Sequence, residues 1–187
     1  MNTGQTILTI GALILLGYTV LFTNRSSLQY GAVIDQTEID IYSVSLAESI
    51  IEEASGKAFD HYSATDTAGN GSVITALSQL TISSKLGKES DDTLIYTQPS
   101  HYYFDDIDDY NEWSKRPFVQ YVQGVDSFHL WASVFYVDST NPNVAVTGPT
   151  WNKKIVVKVW PTITAWGDKT PKPDTVQMSY IYSYWWF

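Results

Sequence analysis

The chain contains 187 residues, with 11 basic and 20 acidic side chains, so its formal net charge is −9. This acidic balance predicts no nucleic-acid partner, because binding to phosphates requires clusters of lysine and arginine. The absence of cysteine excludes disulfides and thiol chemistry.

The first predicted element is an apolar segment, Thr6–Thr23, which contains no charged residue and no proline. At about 1.5 Å per residue, a helix of this length nearly covers the roughly 30 Å hydrocarbon layer of a bilayer. A cleaved secretory signal is the alternative, but it requires a positively charged start and a shorter apolar core. Because Met1–Gln5 contains no Lys or Arg, we expect the segment to be retained as a membrane anchor.

A second helical pattern follows the polar stretch Asn24–Ser27. Apolar side chains recur there at steps of three and four residues, as on one face of a helix, and acidic side chains occupy the other face. The apolar positions are Ile39, Tyr42, Leu46 and Ile50. Gly56 is predicted to end the helix, because glycine tolerates the left-handed conformation that often follows one. Residues 1–56 are therefore predicted to form one hydrophobic and then amphipathic helix, and a break near Asn24 or Gly31 stays open.

Residues 57–187 are predicted to form a β-rich globular head. Residues 60–92 are rich in small and polar side chains, which predicts loops. Alternating or β-branched runs, separated by Gly, Pro and Asn, then predict strands. The predicted strands are Thr93–Thr97, Pro117–Val125, Ser127–Asp138, Lys153–Trp160 and Thr175–Phe187. Their short connections favour an antiparallel sheet, so the predicted fold class is α+β, with a long N-terminal α-helix followed by an antiparallel sheet.

This order of elements resembles that of type IV pilin-like proteins. Besides the N-terminal anchor, the acidic loop Phe104–Asn111 and the strand Phe128–Asp138 are similar to those of minor pilins related to the mannose-sensitive haemagglutinin pilus. The resemblance implies a pilin-like fold and assembly into helical filaments on the cell surface, with subunits anchored in the inner membrane beforehand. Family chains have a basic leader and a glutamate as the fifth mature residue. Here the fifth residue is Gln5 counted from the first residue, or Thr9 counted after Gly4.

The apolar segment itself favours self-assembly. Outside a membrane it would expose apolar surface, at about 25 cal/mol per Å², and the chain has no second hydrophobic helix to cover it. Identical copies related by one repeated screw operation cover this surface and form an open fibre. The predicted assembly interface consists of Gln5, Ile7, Leu8, Ile10, Leu13, Ile14, Leu15, Leu16, Val20, Leu21, Phe22, Ile39, Tyr42, Leu46 and Ile50. Acids within Asp35–Glu53 are predicted to meet bases of a neighbouring copy, with two solvated faces as the equally weighted alternative. The bases concerned are Lys153, Lys154 and Lys158.

The acidic loop is a weak candidate for a Ca²⁺ site, because Ca²⁺ prefers oxygen ligands. Its carboxylates belong to Asp105, Asp106, Asp108 and Asp109. The ligand order and central glycine of an EF-hand are absent, so a loop that caps a turn is the favoured alternative. The three histidines lack a metal-binding spacing and are expected to be ordinary surface or core residues. They are His61, His101 and His129. Because no Gly-rich phosphate loop or G-x-S-x-G motif occurs, neither an enzyme nor a cofactor is expected.

Two sequons, at Asn24 and Asn70, would accept glycans on an external surface. The run Tyr180–Phe187 has more aromatic rings than one strand face needs, which predicts subunit packing or the binding of glycans or surfaces. The leading predicted function is a structural subunit of an extracellular type IV pilus-like filament. The alternatives are a minor pilin or pilus-tip adhesin acting as a membrane-tethered binding module, and a secretion-system pseudopilin. Whether such a filament serves adhesion, motility, secretion or electron transfer stays open.

Overall fold

The computed structural model describes residues 2–64, 71–87, 104–118, 127–162 and 175–185. One long helix is followed by several short 3-10 helices and then by four strands. The elements are α1 (Thr3–Ser55), β1 (Ser114–Phe118), β2 (Ser127–Tyr136), β3 (Asn152–Thr162) and β4 (Val176–Ser183). The strands form one antiparallel sheet in the order β1-β2-β3-β4. The predicted α+β class, a long helix followed by an antiparallel sheet, is confirmed.

The chain divides into two compact units, Met1–Ile39 and Asp40–Phe187. The division lies inside α1, whereas the predicted boundary at residue 56 follows the end of the helix. The difference arises because the last four turns of α1 are packed into the second unit through their apolar face. Secondary structure and packing therefore divide this chain at different places.

In the first unit, α1 is continuous through both Asn24 and Gly31, which answers the question of a break. Its threonine hydroxyls donate hydrogen bonds back to carbonyls of the preceding turn. Thr19 bonds to the carbonyl oxygen of Leu16 at 2.8 Å, and Thr23 bonds to that of Thr19 at 2.8 Å. These bonds satisfy the hydroxyl donors within the helix, so the threonines are compatible with apolar surroundings.

In the second unit, α1 buries one face at helical spacing. The buried side chains are Ser43, Leu46, Ala47, Ile50 and Ala54. The helix ends at Ser55, and the amides of Gly56 and Lys57 donate to carbonyl oxygens three residues earlier, which closes a tight last turn. Glycines with left-handed backbone among the described residues are Gly71 and Gly87. The predicted end of the helix is therefore right, and the predicted left-handed conformation of Gly56 is wrong.

The core of the sheet lies on one face of β2 and β3. On β3 the side chains of Ile155, Val157 and Val159 are fully buried, as the predicted alternation requires. The β2 side chains on this face are Phe128, Leu130, Ala132, Val134 and Tyr136, all buried. The two strands pair along their whole length, from Ser127 opposite Thr162 to Tyr136 opposite Lys153. This pairing places a lysine at one end of an otherwise apolar face.

The strand boundaries differ modestly from the predicted ones. β2 and β4 end earlier than predicted, at Tyr136 and Ser183. β1 begins before the predicted strand, at Ser114, and residues 119–126 lie outside the described part of the chain. The predicted strand Thr93–Thr97 also lies outside the described residues. The segment 71–87 contains only short 3-10 helices between extended residues, in agreement with the predicted loop-rich region.

Candidate functional site

A buried ammonium group lies at the centre of the second unit. Lys153 of β3 has no solvent exposure, and its Nζ donates to the carbonyl oxygen of Phe59 at 2.7 Å. It also donates to Oδ2 of Asp60 at 3.0 Å and to Oδ1 of Asp108. The ring of Tyr136 lies 5.4 Å from the same nitrogen. Because an ammonium group has three donors, Lys153 is fully satisfied, and it joins β3 to the residues after α1 and to the acidic loop.

Asp60 organises the segment that follows α1. It is the N-cap of the 3-10 helix His61–Ser63, where its side chain accepts from the Tyr62 amide. Its other contacts reach Thr81, whose amide and hydroxyl donate to the carboxylate at 3.0 and 3.1 Å. The Tyr136 hydroxyl donates to the Thr81 carbonyl oxygen at 2.7 Å. Asp60 therefore joins the residues after α1 to Thr81 and to Lys153 of β3.

The acidic loop is held by its own carboxylates. Oδ1 of Asp106 accepts from the amides of Asp108 at 2.7 Å and Asp109 at 3.3 Å. Oδ2 of Asp109 accepts from the amides of Asp105 at 3.0 Å and Asp106 at 3.3 Å. These reciprocal bonds cap the turn that begins the 3-10 helix Asp108–Tyr110. The hydrogen bonds favour the capping alternative, and Lys153 binds one oxygen of Asp108, a residue that the Ca²⁺ hypothesis counted among its candidate ligands.

Burial and neighbouring charges shift the pKa values of both Asp106 and Lys153 upward. Burial raises the pKa of Asp106 well above its ordinary value, and the charges of Asp108 and Asp109 raise it further against the opposing effect of Lys153. Burial acts to lower the pKa of Lys153, but Asp108, Asp60 and Asp106 outweigh it and raise the pKa. The ammonium therefore stays protonated and is the cation of the cluster.

An aromatic group links the acidic loop to the end of α1. The Tyr110 hydroxyl donates to Oε1 of Glu53 at 2.9 Å, and burial and the Glu53 charge raise the pKa of Tyr110 above its usual value. Its ring packs edge-on against Phe104 and Trp113, with centroids 4.8 and 5.9 Å away. Tyr110 thus remains a protonated donor and joins the loop to the last turn of the helix.

The burial of Lys153 corrects one predicted intersubunit contact. A lysine with no exposure and three internal acceptors is unavailable to the helix of a neighbour, so Lys153 leaves the predicted set. Lys154 is half-buried and donates to Asn143 and the Pro142 carbonyl oxygen at 3.1 and 3.2 Å. The ammonium of Lys158 lies 5.1 Å from the Trp131 ring. These two lysines remain candidates for contacts between copies.

The predicted assembly interface divides into an exposed and a buried part. The apolar side chains between Ile7 and Phe22 are 54% to 74% exposed. The exposed members are Gln5, Ile7, Leu8, Ile10, Leu13, Ile14, Leu15, Leu16, Val20, Leu21 and Phe22. In contrast, Ile39, Leu46 and Ile50 are only 7% to 8% exposed in the single chain, and Tyr42 is half-buried. The interface is corrected accordingly, because the apolar stripe of the later turns serves the packing of the chain itself.

Among the described residues, one helix, α1, is long and apolar enough to cross a membrane by length and composition. No residue of the 18-residue window that meets this criterion is buried. We name the side chains from Ile7 to Phe22 the apolar surface of α1.

In the aromatic run that begins at Tyr180, some rings are packed inside the chain and others are exposed. The Tyr184 ring packs against Phe59 and Trp151, with centroids 5.4 and 5.7 Å away, and its hydroxyl oxygen accepts from the amide of Ile74 at 2.9 Å. Tyr180 and Trp185 are 50% and 76% exposed. Internal packing therefore uses part of the predicted aromatic excess, and Tyr180 and Trp185 remain available for contacts.

The predicted glycosylation sites and the three histidines can each be located. Asn24 is exposed on α1, whereas Asn70 and His101 lie outside the described residues. The His129 ring stacks on Trp160 with centroids 5.5 Å apart, as expected of a structural histidine. His61 lies beside the acidic loop, where one of its nitrogens is within 4.8 Å of carboxylate oxygens of Asp105 and Asp106. Sequence reasoning missed this group, because His61 is far along the chain from the loop.

Comparison of the chain with protein-family models, with curated proteins and with solved structures gives no match.

Proposed function

We propose that this protein is a structural subunit of an extracellular, type IV pilus-like helical filament that polymerises through the apolar surface of α1. The observation that supports this proposal is an unbroken helix whose leucine, isoleucine, valine and phenylalanine side chains are more than half exposed along its first part. Water does not tolerate such a surface, so another molecule covers it. The candidates are lipid and further copies of the chain.

The size of the apolar surface determines the free energy gained when it is removed from water. Ten Leu, Ile, Val or Phe side chains are exposed between Ile7 and Phe22. Burial of each contributes about 1.5–3 kcal/mol, so complete burial is worth on the order of 15–30 kcal/mol. Membrane insertion of the same residues contributes roughly 0.3–0.6 kcal/mol each, in total on the order of 3–6 kcal/mol. Both a bilayer and a helical bundle of copies remove this apolar surface from water. The membrane therefore holds the subunit before assembly, and in a filament neighbouring copies replace the lipid.

The glycines of α1 fit close packing between helices. A Cβ atom added at Gly11, Gly17 or Gly31 would meet nothing within 4 Å, so the backbone at these positions is open to approach. Small residues let helix backbones come close in apolar surroundings. Because copies related by one repeated screw operation do not close on themselves, their packing gives a fibre of unlimited length.

A membrane-tethered binding module is the second candidate, and a surface cavity favours it. The cavity has a volume of about 660 Å³ and is lined by His61, Tyr62 and residues between Ser72 and Lys85. This volume lies within the range of small-molecule sites, roughly 300–1,000 Å³. An adhesin or a secretion-system pseudopilin would use the same anchor and present such a cavity without forming the bulk of a fibre.

Fractionation of cells that produce the chain separates these candidates. Surface filaments are sheared off, examined by electron microscopy and quantified by mass spectrometry, with the membrane fraction as reference. We expect the chain to be the main protein of thin filaments. A trace amount in filaments built of another protein indicates an adhesin, and retention of all the chain in the membrane fraction contradicts polymerisation.

A further inference from the structure

Lys153 binds two of the buried carboxylates of the second unit, and Asp106 is not one of them. Four carboxylates have no solvent exposure, those of Asp60, Asp106, Asp108 and Asp109. The three hydrogen bonds of the buried Lys153 go to Asp60, Asp108 and a backbone carbonyl oxygen. Buried charges in proteins are paired or bound to metal ions. Asp106 is therefore a buried carboxylate that Lys153 does not bind directly.

Some buried polar atoms beside the acidic loop have no hydrogen-bond partner within the described part of the chain, and two of these belong to Asp106 and His61. They are Oδ2 of Asp106, a residue with no exposure, and Nδ1 of His61. A lone buried acceptor of this kind costs about 1–3 kcal/mol unless something binds it. The other oxygen of Asp106, Oδ1, already accepts from two backbone amides, which fixes the orientation of the carboxylate.

The fold brings these atoms together from two separate segments. Ala58 and Asp106 form a parallel bridge, in which the Ala58 amide donates to the Asp105 carbonyl oxygen at 3.0 Å. The Ile107 amide donates to the Ala58 carbonyl oxygen at 3.0 Å. The bridge sets His61 beside the loop, so one donor atom each from His61, Asp105 and Asp106 lie within 4.8 Å of one another.

We propose that His61, Asp105 and Asp106 bind a divalent transition-metal ion, with Zn²⁺ as the representative. The donor set is one imidazole nitrogen and two carboxylate oxygens, which suits Zn²⁺ and related ions. Ca²⁺ prefers six to eight oxygen ligands and no imidazole, so the site differs in ligands and in ion from a calcium loop. Three protein ligands leave a tetrahedral ion one position for water.

The site requires a small closure of its side chains. Donor atoms around a tetrahedral Zn²⁺ at about 2.0–2.1 Å lie roughly 3.4 Å apart, compared with separations of up to 4.8 Å here. Side-chain rotation of His61 and Asp105, which are both half-buried, brings the atoms together. Asp106 stays in place through its two amide hydrogen bonds, and the ion neutralises its carboxylate.

The test is calorimetric titration of ZnCl₂ into the full-length chain in mild detergent, combined with thermal unfolding in EDTA and in Zn²⁺. We expect saturable binding of one Zn²⁺ per chain and a higher melting temperature with Zn²⁺. Ca²⁺ should bind more weakly than Zn²⁺, and Co²⁺ should give the visible absorption of nitrogen and oxygen ligation.

Two variants with matched controls locate the site. Asp106→Asn retains an oxygen for the two backbone amides while removing the charged ligand, and Asp138→Asn, at an exposed aspartate, is its control. His61→Gln has His129→Gln as its control. We expect each site variant to weaken Zn²⁺ binding at least about tenfold, the lower end of what even an outer-shell change costs, and each control to bind like the wild type.

The proposal is overturned if Zn²⁺ neither releases heat nor raises the melting temperature, or if Ca²⁺ binds as tightly as Zn²⁺. It is also overturned if His61→Gln binds Zn²⁺ like the wild type. Should Asp106→Asn fail to fold in EDTA, His61→Gln decides the question alone, because His61 accepts no backbone bond that holds the loop.

Discussion

Replacement of the buried Lys153 by methionine tests the account of the core most sharply. Methionine matches the length and shape of the lysine stem, so the Lys153→Met substitution removes the charge with little change in volume. It leaves the carboxylates of Asp60 and Asp108 buried without their cation and the Phe59 carbonyl oxygen without its donor. Removal of one partner of a buried ion pair costs about 3–5 kcal/mol.

The assay is thermal unfolding of the full-length chain in mild detergent, followed by tryptophan fluorescence. For a chain of this length, each kcal/mol changes the melting temperature by about 2–4 °C, so we expect Lys153→Met to lower it by roughly 6–20 °C. Lys154→Met is the matched control, because this adjacent lysine is half-buried and donates only to residues of a surface turn. Its expected cost is below about 1 kcal/mol.

A second substitution separates charge from packing. In the triple variant Lys153→Met, Asp60→Asn and Asp108→Asn, no buried carboxylate of the ion pairs lacks a cation. We expect it to be more stable than Lys153→Met alone, because contacting residues of one network are not additive. A melting temperature of Lys153→Met within about 2 °C of the wild type, or a triple variant less stable than the single one, refutes the assigned role of the ammonium.

Three further predictions concern the apolar surface, the loop and pH. Leu13→Arg places a charge in the middle of the apolar surface, at a cost of about 2.5–3.5 kcal/mol. We expect this variant to form no filaments in the sheared fraction. The control Thr37→Arg, at an exposed position beyond this surface, should retain them. Tyr110→Phe removes the hydroxyl that donates to Glu53 and is expected to cost about 1.5–3 kcal/mol in thermal unfolding, since the acceptor is charged; unchanged stability contradicts the assigned link. Because the folded pKa of Lys153 is raised, its contribution is fully present below the unfolded lysine pKa of about 10.4 and is lost as pH rises through the folded value. The difference in stability between wild type and Lys153→Met should therefore be constant from neutral pH to about pH 10 and decrease only above it; a decrease near pH 8 contradicts the pairing.

Local patterns were sufficient to predict the long helix and most of the strands among the described residues. The apolar segment, the helical spacing after Asn24–Ser27 and the alternation along β3 each depend on residues a few positions apart, and each matches the structure. The strand ends were less accurate, because pairing with a neighbouring strand decides where a strand stops. Thus β2 ends at Tyr136, opposite Lys153, although the apolar pattern continues into Val137.

The buried sites could not be predicted, because their partners are far apart in the sequence. Lys153 bonds to residues 94, 93 and 45 positions away. One signal for the burial of Lys153 was present in the sequence. Side chains of a strand alternate between its two faces, so Lys153 lies on the same face as Ile155, which is the core face. The contact of His61 with Asp105 and Asp106 had no such signal, because the two segments meet through tertiary contacts, namely the bridge at Ala58 and the shared bonds to Lys153.

The same distinction explains the corrected interface. Spacing alone identifies both the early and the late apolar positions of α1, but it does not reveal which partner covers them. The chain's own packing covers Leu46 and Ile50, whereas the side chains from Ile7 to Phe22 are exposed. Because Leu46 and Ile50 are buried within the chain, the proposed contacts between copies involve the first part of the helix and residues elsewhere on the surface.

The most direct test of self-assembly is electron cryomicroscopy of sheared filaments at a resolution that traces side chains. We predict that the side chains from Ile7 to Phe22 lie within about 4.0–4.5 Å of the α1 helices of neighbouring copies, in a central bundle free of lipid. Filaments whose density belongs to another protein, or a detergent-free chain that remains a single soluble particle with this apolar surface folded against its own residues, would contradict the proposal.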